Sequence, residues 1–208
     1  MLMKLYYAPG ACSMSPHIVL NEVGFHYELE RVDLKTKITE SGKDFNTINE
    51  KGAVPFLVLD NHETLTEGAA IVQYIADQKP ASGLAPAQGT LERARVYEWL
   101  NYISSELHKA TAPLFNPELS ASAKEAALEK VKKSYEYVSK KLGSKPYLLG
   151  NTFTVADAYM FTVINWHNFI NLDLSPWPVL VEYQKRVASR PAVQATMTKE
   201  GLLDKKAA

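Results

Sequence analysis

LYYAPGACSMSPHIVLNEVG, residues 5 to 24, passes from a β-prone stretch through the turn-forming pair Pro9-Gly10 into apolar residues at helical spacing. Ile18, Val19, Leu20 and Val23 carry that spacing until Gly24. The reading is strand, turn, helix, and the next segment decides what it belongs to. YELERVDL, residues 27 to 34, alternates Tyr27, Leu29, Arg31 and Asp33 against Glu28, Glu30, Val32 and Leu34, an imperfect period of two that predicts a second strand. A βαβ unit with its usual right-handed crossover makes the two strands parallel. VPFLVLD and ETLTEG then flank Asn61-His62 and predict a hairpin, after which Glu67 and Gly68 open the helical run AAIVQYIADQ.

Residues 79 to 90, KPASGLAPAQGT, have no convincing periodicity, and everything after them reads as helix. LERARVYEWLNYISSELHKATAPLF, SAKEAALEKVKKSYEYVSKKLG, TVADAYMFTVINWHNFI and PVLVEYQKRVASRP give four helical segments, with a short one from Ala192 to Glu200. The expected organisation is an α/β domain over residues 1–80, a linker over 81–87 and an all-α domain over 88–208. Thr154 and Asp157 have the spacing of a capping box. The helix they open, with Met160, Phe161, Val163, Ile164 and Trp166, is apolar nearly all round and predicts the centre of the helical domain.

The chain has 208 residues, 46% of them hydrophobic, enough to bury a sizeable core. Its 23 basic and 23 acidic side chains cancel, which points away from nucleic acid and anionic membranes and toward small molecules or proteins. A single cysteine forms no internal disulfide, and MLMKLYYAPG lacks a long apolar segment, so the expectation is a cytoplasmic protein. Five scattered histidines and one cysteine without a ligand-spaced companion give no expectation of a metal.

Cys12 falls where a helix begins, and there unpaired N–H groups and the positive end of the helix dipole favour thiolate over thiol. Free cysteines are also commonly small buried side chains, so this position alone leaves two readings open. Ser13 and Tyr7 add hydroxyls, although serine at a helix start is ordinarily a cap. At Val54-Pro55 a cis bond can turn the backbone outward so that Val54 pairs with an extended peptide; the plainer reading is a proline starting a strand. Glu67-Gly68, at the next helix start, suits one end of a zwitterion, or serves only as an acid complementing the dipole. In the first long helix after the linker, steps of four and seven from Asn101 place Ser105 and His108 on one face. Glu106 and Lys109 are their polar neighbours.

Taken together, YYAPGACSMSPHIVL, NEKGAVPFLVLDN, LTEGAAIVQYIAD, EWLNYISSELHKATAPLF and FTVADAYMFT resemble, in order and spacing, the glutathione transferases, most closely the bacterial beta class. The resemblance covers essentially the whole chain. It implies a thioredoxin-like N-terminal domain followed by a helical-bundle C-terminal domain that carries the electrophile site. It also implies a cis Pro55, Val54 backbone groups on the cysteinyl part of glutathione, Glu67 and residue 68 on its γ-glutamyl end, and Lys37 on its glycyl carboxylate. Cys12 and Ser13 then lie beside the glutathione sulfur with His108 and Lys109 near it. Tyr7 is not the main activator, Ser105 lines the cleft, and Asn101 and Glu106 reach glutathione held by a partner subunit. Many transferases carry serine where this chain has Gly68. The implied activity is conjugation of glutathione, as co-substrate with no further cofactor, to small hydrophobic electrophiles by a detoxifying homodimer. Glutathione-dependent thiol-disulfide exchange through a mixed disulfide at Cys12 is the enzymatic alternative, and a non-catalytic binding protein of the same fold is the third reading.

Overall fold

The structure, a computed structural model, describes residues 2–203. The outermost residues of the two expected domains therefore lie outside the described residues. By its contacts the chain divides into two compact units, one running to Ser82 and including the segment from Arg190, the other Gly83–Ser189.

The first unit contains β1 (Met3–Tyr7), α1 (Met14–Val23), β2 (Tyr27–Arg31), β3 (Phe56–Val58), β4 (Thr64–Leu65) and α2 (Gly68–Asp77). The sheet order is β2-β1-β3-β4, with β1 and β2 parallel and the other two pairings antiparallel. Parallel pairing follows from the α1 crossover, whose far end stops at Gly24, φ 69°, a left-handed position that glycine takes without steric cost. The second strand ends at Arg31, earlier than its sequence pattern, and Val32 makes only an isolated bridge to Thr39. Behind the sheet, Tyr6, Phe45 and Phe56 stack at 5.4 to 6.2 Å between centroids and pack with Val54, which fixes the strand start that precedes β3.

The sequence reading gave everything after residue 88 to the helical domain, whereas α8 (Pro191–Lys199) belongs to the first unit. The cause is a set of polar contacts onto α1: Arg190 pairs with Glu22, Asn21 Nδ2 donates to Thr196 Oγ1 at 2.7 Å, and His17 Nδ1 lies 2.7 Å from Glu200 Oε1.

The second unit holds α3 (Leu91–Tyr102), α4 (Lys109–Thr111), α5 (Ala121–Leu142), α6 (Val155–Asn165) and α7 (Pro178–Ala188). Thr90 caps α3 by accepting from the Arg93 N–H at 3.2 Å. α6 is buried from Val155 to Ile164, as its all-round apolar pattern predicts. The capping box at its start forms, with the Asp157 carboxylate accepting from the N–H groups of Leu148 and Thr154 and the hydroxyls of Thr154 and Tyr183.

Candidate active site

The turn after β1 is fastened from several sides. Ser13 Oγ accepts from the Ala8 N–H at 3.1 Å and donates to the Ala8 carbonyl at 3.2 Å, and the Gly10 N–H donates to Glu200 Oε2 at 2.8 Å. The Ser13 hydroxyl is therefore committed to the turn, leaving the backbone N–H as what residue 13 can offer a ligand. Cys12 Sγ donates to the Val54 carbonyl at 3.2 Å. Burial raises the Cys12 thiol to about 11, against the pull of the Cys12 and Ser13 N–H groups, and the Glu67 charge raises it further. Of the two readings that the helix start leaves open, burial favours the protonated thiol. The backbone donors are present, but loss of water outweighs them.

Val54-Pro55 is cis. Among the described residues the Val54 N–H makes no hydrogen bond, although its carbonyl faces the thiol. The approach to Val54 is shaped by Asn49, which donates to the Ala53 carbonyl at 2.8 Å, and by Lys37, whose ammonium donates to the Gly52 carbonyl at 2.8 Å. On the other side of Pro55, a Cβ placed on Gly68 meets Pro55 Cγ at 3.6 Å and Ser15 Oγ at 3.9 Å. Cys12, Val54, Pro55 and Gly68 are therefore immediate neighbours, with Lys37 one residue pair away through Gly52. Glu67 stands at φ 67°, ψ 109°, strained for a residue with a side chain, and projects its carboxylate into solvent.

Sequence reasoning missed Lys51. Its ammonium lies 2.8 Å from Glu67 Oε1 and 2.9 Å from Thr66 Oγ1. Its closeness to Val54-Pro55 in sequence is a signal of position, but only the β3–β4 hairpin brings Glu67 back to it.

In the second unit, the helical run after α3 changes winding and forms a π-helix over Ile103–His108. The wider turn breaks the helical arithmetic that set Ser105 and His108 on one face. Ser105, Glu106 and Lys109 line an open hollow with Lys130, Lys133 and Ser134 of α5. His108 packs elsewhere: Nδ1 lies 2.7 Å from the Tyr159 hydroxyl, and the ring meets Trp166 edge-on at 4.7 Å. Phe115 extends that aromatic wall, 5.5 Å from Trp166. Burial lowers the His108 pKa and so favours its neutral imidazole. Asn101 folds back on its own helix, donating to the Tyr97 carbonyl at 2.9 Å.

A mixed four-stranded sheet with a cysteine in its first sheet-to-helix turn, set against an X-cis-Pro strand start and followed by a helical unit, defines a two-unit protein of thioredoxin-like type. Comparison with known proteins makes this specific. The family model for the glutathione S-transferase N-terminal domain matches residues 1–77, and that for the C-terminal domain matches 102–191. Glutathione S-transferase GstA of Escherichia coli O157:H7 is 42% identical over 200 residues, 96% of this chain and 100% of its own. The structure of a sphingomonad glutathione S-transferase complexed with glutathione is 48% identical with a TM-score of 0.92, over 96% of this chain and 99% of that one. A bacterial beta class glutathione S-transferase from Sphingomonas chungbukensis is 47% identical with a TM-score of 0.93, over the same shares. The chain belongs to the glutathione S-transferase family, within its bacterial beta class.

Proposed function

We propose that this transferase joins the thiolate of glutathione to small hydrophobic electrophiles, a detoxifying group transfer. The observation that carries the reading is the unpaired Val54 N–H beside a carbonyl already 3.2 Å from the Cys12 sulfur. An extended cysteinyl residue pairing with Val54 as an added strand brings its own sulfur to the Cys12 turn. Glu67 takes the γ-glutamyl ammonium, the Gly68 N–H its carboxylate, and Lys37 the glycyl carboxylate.

Free thiols of this kind ionise at about 8.5, so catalysis requires stabilising the anion. A Cys12 thiol at about 11 stays protonated at neutral pH and serves as a hydrogen-bond donor to the glutathione sulfur, together with the Cys12 and Ser13 N–H groups. Lowering the glutathione pKa by one unit corresponds to about 1.4 kcal/mol. His108, Trp166 and Phe115 supply an apolar aromatic wall for the electrophile, with Lys109 as the exposed cation of the same segment. The sulfur forms a bond to carbon as the leaving group departs with its electron pair, and the thiol proton goes to solvent. Asn101, Ser105 and Glu106 complete the glutathione site of a homodimer working in the cytoplasm.

The test pairs two assays on the unaltered protein, chlorodinitrobenzene conjugation and reduction of a glutathione mixed disulfide. Thioether formation dominates in this reading. Disulfide reduction alone makes the protein an oxidoreductase through Cys12, and glutathione binding with neither reaction makes it a binding protein.

A further inference from the structure

Lys51 and Glu67 form an ion pair at 2.8 Å whose side chains are 53% and 72% exposed. A pair this open contributes little to folding, so stability does not explain it. Its geometry is nonetheless fixed: the Thr66 hydroxyl accepts from the same ammonium at 2.9 Å, and the Asn49–Gly52 turn presents Lys51, with Asn49 Oδ1 accepting from its N–H at 3.2 Å. The outcome is one positive and one negative group side by side at the first residue before α2, facing solvent. Glu67 is held there in a backbone conformation unfavourable to it.

A γ-glutamyl end carries an ammonium and a carboxylate on one carbon. Glu67 alone attracts the first and repels the second, whereas the Lys51–Glu67 pair complements both. Gly68 has no side chain to meet that carboxylate, which leaves an opening for Lys51. We propose, resting on the reading of Glu67 as the γ-glutamyl contact, that Lys51 is a further glutathione-binding residue. It swings from Glu67 onto the γ-glutamyl α-carboxylate while Glu67 takes the ammonium, and so selects a zwitterion over a peptide with either charge alone.

The experiment is a chemical double-mutant cycle read by calorimetric Kd. The two ligands are glutathione and its analogue with the γ-glutamyl α-carboxylate replaced by hydrogen; the two proteins are the unaltered chain and Lys51→Met. Each single change weakens binding about tenfold, the size of one charge-assisted hydrogen bond at a partly exposed site. The two changes together weaken it no more than one alone. Losses that multiply, or a Lys51→Met protein that binds glutathione equally or more tightly, overturn the assignment; the latter result makes Lys51 a competitor for Glu67. If the unaltered protein binds no glutathione, the functional reading falls, and the Lys51 assignment with it. Lys51→Glu, by repelling the carboxylate, weakens glutathione more than Lys51→Met does.

Discussion

The chemistry at Cys12 turns on which of two effects is larger. Helix-start N–H groups favour the thiolate, burial favours the thiol, and burial prevails, taking the group to about 11. Because Cys12 is the chain's only cysteine, alkylation reports on it alone. Iodoacetamide labelling of the ligand-free protein is predicted to be slow at pH 7 and to rise toward a midpoint near 11; a midpoint below about 8.5 contradicts this, since it requires a favoured thiolate. The location of this residue was legible in the sequence, because Pro9-Gly10 and the apolar spacing after it mark the turn. Its ionisation was not. That depends first on burial, which only the packed fold supplies, and then on the charge of Glu67, distant in sequence. The same limit applies to His108, whose neutrality comes from burial against Tyr159 and Trp166.

Among the elements, the residue before α2 is held at φ 67°, a backbone conformation unfavourable to a side chain. Glu67→Gly relieves a conformation that costs about 1 kcal/mol or more in a residue with a Cβ. The variant is predicted to unfold at higher urea yet bind glutathione at least tenfold more weakly, the loss of one charged contact. Equal stability and equal affinity contradict the assignment. At the start of α6, burial raises the Asp157 carboxyl to about 6 although four donors surround it. Its folded pKa lies above its unfolded value, so its contribution is full below about 4 and is lost as pH rises through about 6. Urea unfolding of wild type and Asp157→Asn is predicted to diverge by about 3 kcal/mol between pH 4 and 7, against wild type as pH rises; a pH-independent difference rules the shift out. Element order and the capping box could be read from spacing. The π-helix at Ile103–His108 could not, because its sequence fits α-helical spacing.

Over the whole molecule, segments far apart in sequence meet in one unit: Glu200 accepts from the Gly10 N–H and pairs with His17, both side chains of that pair being fully buried. Glu200→Ala removes the acceptor of the Gly10 N–H and the carboxylate beside His17 Nδ1, and is predicted to cost about 3 kcal/mol in urea unfolding, with glutathione binding weakened because the Cys12 turn loosens. A cost under about 1 kcal/mol contradicts it. No sequence periodicity announced this contact, since residues 190 apart share no pattern. On the proposed reading, the assembled site ionises glutathione with Cys12 acting as a neutral donor. Its most direct test is ultraviolet titration of the glutathione thiol bound to wild type and to Cys12→Ala. The bound thiol is predicted to titrate at least one unit below its free value, and to move up by about one unit in the variant while glutathione still binds. A bound thiol that titrates at the free value in wild type contradicts it.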